Sequence, residues 1–81
     1  MNLQSVIPQK IIQEAKNLGA CNFALNWLKA NPKATFQDLR DFDRISFVWG
    51  VRNVPLPSAF LSELAKDQSV DVREVVTRNN T

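Results

Sequence analysis

The chain has 81 residues, ten Lys+Arg against eight Asp+Glu for a net charge of +2, and a hydrophobic fraction of 44%. That length suits one small domain, and that apolar content excludes intrinsic disorder and a multidomain enzyme. With no histidine and one cysteine, the sequence excludes His-based triads, His-containing metal sites, an internal disulfide and a thiolate cluster.

Met1 to Lys10 lacks a basic start followed by a long apolar run, so neither a signal peptide nor a membrane anchor is expected there. No stretch approaches the roughly 20 apolar residues that span a bilayer. The expectation is a soluble cytoplasmic protein with no membrane partner. Met1 to Ile7 reads as a frayed or extended lead-in. Pro8 suits the first turn of a helix. Ile11, Ile12, Ala15 and Leu18 follow at helical spacing, and Gly19 supplies a C-terminal stop.

Ala20 to Ala30 is the most apolar segment. Its polar residues Asn22, Asn26 and Lys29 fall at i, i+4 and i+7, which leaves one narrow polar stripe. The pattern predicts the central helix of the domain, buried on most sides, with Cys21 a buried structural thiol. Asn31-Pro32 ends it. Thr35 is a candidate N-cap for a short helix from Phe36 to Asp41, with Asp38 three residues on. Asp43 is the candidate cap of the next helix, which carries Ile45, Phe47, Val48, Trp49 and Val51.

Val54-Pro55-Leu56-Pro57 predicts a rigid, extended connector. It divides a helical core, 1–54, from a C-terminal helical hairpin, 55–81, within one domain. Phe60, Leu61, Leu64 and Ala65 share one helical face. Ser69 is a candidate cap for a last helix with Val72, Val75 and Val76. The sum is an all-α, compact single domain of five or six short helices.

Leu64, Ala65, Asp67, Val72, Arg73, Val76 and Asn79 follow the order Leu-Ala, Asp, Val-Arg, small apolar, Asn. This stretch, about a quarter of the chain, resembles a single leucine-rich variant repeat, a relative of HEAT-like repeats. The resemblance implies a helix pair whose turn is braced by Arg73 with Asp67 or Asp71. The motif occurs once, whereas a solenoid needs at least about three units. Gly19-Ala20-Cys21, Leu25, Trp27, Thr35 and Val48-Trp49 resemble small uncharacterised helical proteins of phages and bacteria. That resemblance implies a mobile-element origin and no activity.

No acid, base, nucleophile and ligand set can be assembled, so a non-enzymatic role without cofactor is expected. Asp38, Asp41 and Asp43 cluster between two helices, but Arg40 and Arg44 interleave with them. Capping and ion pairing account for them better than a hydrated metal ion. Trp27 reads as core. Phe47 and Trp49 point about 200° apart on one helix, and Trp49 is the better anchor. The leading expectation is a protein-interaction module, with Phe47, Trp49 and Arg52 as protein-binding residues. Its sharpest form is a phage or mobile-element product that binds a host complex, such as an inhibitor of a defence system. Homo-oligomerisation belongs to the same class. The alternative is a nucleic-acid-binding module whose Arg40, Arg44, Arg73 and Arg78 contact phosphates, with Arg52 extending that face.

Overall fold

Six α-helices follow one another in the computed structural model, which describes residues 1–79: α1 (Gln9–Asn17), α2 (Asn22–Ala30), α3 (Phe36–Phe42), α4 (Arg44–Asn53), α5 (Ser58–Leu64) and α6 (Val70–Val76). The all-α class is as expected, and no strand forms among the described residues. Positions 80 and 81, the end of the expected hairpin, lie outside them.

Local chemistry accounts for most of the boundaries. Pro8 is the N-cap of α1. At the other end Gly19 has φ +97°, its N–H donates to the Lys16 carbonyl at 3.1 Å, and the Ala20 N–H donates to the Ala15 carbonyl at 2.9 Å. This is a Schellman motif, which needs the left-handed residue that glycine supplies without strain. Thr35 and Asp38 form a capping box: Asp38 N–H donates to Thr35 Oγ1 at 3.0 Å, and Thr35 N–H donates to Asp38 Oδ2 at 2.9 Å. Asp43 caps α4, accepting from the Ser46 N–H at 3.3 Å and the Ser46 hydroxyl at 2.6 Å.

The N-terminal lead-in is pinned. Val6 and Thr35 form an isolated antiparallel bridge. The Phe36 and Gln37 N–H groups, which have no intrahelical partner at the start of α3, donate to the Ser5 and Leu3 carbonyls at 3.2 and 2.8 Å. Ile7 is thereby carried into the core.

The densest packing is that of α4 against α3 and α6. Phe47 and Val51 of α4 meet Phe36, Phe60, Leu64 and Val72 in one cluster of buried side chains. The 54–57 connector is not a boundary in packing. Val54 and Leu56 are buried and the two prolines exposed, so the segments on either side share one core. α6 packs more extensively on α4 than on its hairpin partner α5.

Three expectations are corrected. α2 is not central: only Ala24 and Leu28 are buried in it, and it lies at the edge beside α1. Cys21 precedes that helix and is exposed rather than buried. Ser69 stands at the N-cap position of α6 but its hydroxyl makes no cap bond; it accepts instead from Arg44 Nη2 at 3.1 Å.

Asn79 closes the C-terminal end of α4. Its Nδ2 donates to the Val51 carbonyl at 2.5 Å and the Val54 carbonyl at 2.9 Å. Asn79→Ala is expected to lower stability by about 1–2 kcal/mol by orphaning these carbonyls, measured as a shift in the midpoint of urea unfolding with an unchanged slope.

Candidate interaction surface

Phe23 and Trp27 stand four residues apart on α2 and so on one face of it. Phe42, the last residue of α3, stacks on both. Its ring centroid is 4.5 Å from that of Trp27 with the planes 6° apart, and 5.3 Å from that of Phe23 with the planes 19° apart. The stack ties α2 to α3, yet Phe23 remains 65% exposed and Phe42 40% exposed. A shallow groove runs beside it, lined by Trp27, Pro32, Lys33, Asp38, Asp41 and Phe42 among others. An apolar centre thus lies against a charged rim.

The residues expected to bind a protein are divided by the structure. Phe47 is 2% exposed; it fills the core, with the Arg40 guanidinium 5.6 Å from its ring centroid. It is not available as an anchor. Trp49 is partly buried against the core from the other side of α4. Arg52 is exposed and makes no ion pair among the described residues. The three do not form one surface. Phe42, Phe47 and Trp49 are close in sequence, but only Phe42 belongs to the exposed stack.

Arg40, Arg44, Arg73 and Arg78, the four expected to contact phosphate directly, each have an intramolecular partner. Arg40 Nη1 and Nη2 donate to the two carboxylate oxygens of Asp67, each at 2.7 Å. Arg44 Nη2 donates to Asp71 Oδ2 at 2.6 Å. Arg78 lies 3.3 Å from Glu74, and Arg73 Nη1 donates to the Asp67 carbonyl at 3.2 Å. Arg40 is the most committed of the four, since both its Nη groups are held by one carboxylate; the other three each engage a single nitrogen. The Arg73 brace across the α5–α6 turn is present, but through the backbone of Asp67. The carboxylate is taken by Arg40.

No family model matches the chain, and searches of curated proteins and of solved structures find no match. The reading of the surface therefore rests on its own geometry.

Asp67 and Arg40 form a pair in which each stabilises the charge of the other. The hydrogen bonds from Arg40 lower the pKa of Asp67 below the usual carboxylate value, against a smaller opposing effect of burial, and the Ser69 N–H and the charge of Arg73 add to the lowering. Arg40 is raised in turn, chiefly by its bonds to Asp67. Two of the three clustered aspartates serve as helix caps, and Asp41 accepts from Gln37 Nε2 at 2.9 Å. No group of three His, Cys, Asp or Glu side chains suited to a metal occurs among the described residues. No helix there is long and apolar enough to cross a membrane.

The aromatic stack was within reach of the sequence in part. The i, i+4 spacing of Phe23 and Trp27 puts both on one side of α2. Nothing in the sequence places Phe42 against them.

Proposed function

We propose that this chain is a non-enzymatic protein-interaction module that docks its partner on the Phe23–Phe42–Trp27 face. The observation that carries the reading is the exposure of two stacked phenylalanines. Rigid aromatic side chains bury large areas at little entropic cost, and they are enriched where interfaces concentrate their binding energy. The adjoining groove, with Asp38, Asp41 and Lys33, supplies the polar rim such a centre needs. The partner surface that fits is an apolar pocket or helix face flanked by basic residues that meet Asp38 and Asp41. In the sharpest form of the proposal the chain is a phage or mobile-element product and the partner is part of a host complex. That form is supported by the small size of the chain and by the resemblance of its first two thirds to small phage and bacterial proteins.

Capture from bacterial lysate with wild-type protein and with Phe23→Ser, run in parallel with nuclease, tests the proposal. Phe23 is mostly exposed, so the substitution should leave the circular dichroism spectrum and melting temperature nearly unchanged. The expected result is a protein retained by wild type after nuclease treatment and weakened at least tenfold, about 1.4 kcal/mol, by Phe23→Ser. Equal retention by the folded variant would overturn the assignment of this face. Capture lost with nuclease would favour nucleic acid. Self-association abolished by Phe23→Ser would identify the partner as a second copy.

A further inference from the structure

A second feature lies apart from the aromatic face. A cavity of about 290 Å³ opens between α1 and α2 on one side and α4 on the other, with Ile12, Ala24, Leu28, Phe36, Trp49 and Val54 among its walls. Phe23, Trp27 and Phe42 are not part of it. No charged side chain lines it. Its polar side chains are Cys21, Ser46 and the indole of Trp49; Cys21 Sγ and Ser46 Oγ lie 3.8 Å from each other, and the Ser46 hydroxyl is committed to Asp43 at 2.6 Å. Cys21 and Ser46 are satisfied without a guest.

Gly50 supplies a second, independent observation. It lies inside α4, where glycine is less favourable than alanine by about 0.8–1 kcal/mol. A Cβ placed on it would meet no atom within 4 Å, so no neighbour's close approach accounts for the glycine. It lines the cavity, and a Cβ there enters open space. A glycine at that cost, with nothing packed on it, leaves the space open.

We infer that this cavity binds one uncharged, hydrocarbon-like small molecule. Size and chemistry set the class. An apolar cavity of about 150 Å³ stays dry and takes up benzene, so one of 290 Å³ suits a chain of about ten carbons or two fused rings. The walls offer no counter-charge, which disfavours a guest that must bury an ion. The space is also too small for a partner helix, whose diameter with side chains is about 10–12 Å.

Trp49 is in the wall and Trp27 is not, so Trp49 emission in a Trp27→Phe background reports the cavity alone. Titration with decan-1-ol is expected to give a saturable 1:1 change with a dissociation constant below about 100 µM, well within the affinity available to a ligand of this size. In the same background Gly50→Leu, which fills the space, should weaken binding at least tenfold while the melting temperature holds or rises. Gly50→Ala, a single methyl directed into open space, should also raise the melting temperature and weaken binding severalfold; it serves where Gly50→Leu does not fold. Absence of saturable binding up to the solubility of decanol would overturn the inference, as would undiminished affinity in the folded Gly50 variants. A dimer seen by sedimentation that Gly50→Leu dissociates would do the same, since the void would then be an interface between copies.

Discussion

Phe60→Ala is expected to abolish cooperative unfolding or move its urea midpoint to less than half the wild-type value. Phe60 is fully buried, and its ring centroid lies 4.9 Å from that of Phe36 with the planes 58° apart. This contact joins α5 to α3. Removing a buried phenylalanine costs about 3–5 kcal/mol in lost transfer energy and residual cavity, and the loss of a tilted aromatic pair adds about 0.5–1.5 kcal/mol. A domain of this size is stable by only about 4–12 kcal/mol. Phe23→Ala on the exposed face should change stability by less than about 0.5–1 kcal/mol. The contrast between the two phenylalanines, read by urea titration, separates core from surface.

Asp67→Asn has the second largest expected effect, about 2 kcal/mol. The carboxylate holds Arg40 of α3 with both oxygens and also accepts from the Ser69 N–H at 2.8 Å. The pair is partly shielded, with side-chain exposures of 19% and 10%, so it is worth more than a surface ion pair and less than a fully buried one. Asparagine keeps the shape, loses the charge and presents a donor to the guanidinium. The folded-state pKa of Asp67 lies below its unfolded value. The unfolded chain therefore takes up the proton first on acidification. The contribution is fully present above the unfolded value of about 3.9 and is lost as pH falls through the folded value. The stability difference between wild type and Asp67→Asn should be constant from neutral pH to about pH 5 and shrink below about pH 4. A difference independent of pH down to acid unfolding would show that the charge of Asp67 contributes nothing.

The elements that were legible in the sequence are those whose causes are local. Pro8, Gly19, the Thr35–Asp38 pair and Asp43 act within one turn of the chain, and each bounds a helix as its chemistry predicts. What is not legible depends on partners from other helices. The apolar content of α2 says how much surface seeks cover but not what covers it; Phe42 and α1 cover part of it, and Leu28 joins the core. Phe47 and Trp49 were correctly placed on different faces of α4. Which face became core was decided by Phe60, Leu64 and Val72 arriving from α5 and α6. Ser69 fails as a cap because Arg44, 25 residues earlier, takes its hydroxyl. The hydrogen bonds that pin residues 3–7 on α3 use backbone groups alone and leave no signature in the side chains.

Hydrogen exchange of the chain with and without its captured partner is the most direct test of the central claim. Exchange should slow on partner binding in α2 around Phe23 to Trp27 and at the α3–α4 junction around Phe42, with α6 unchanged. Protection confined to α6 and Arg52, with the aromatic face exchanging as in the free protein, would contradict it.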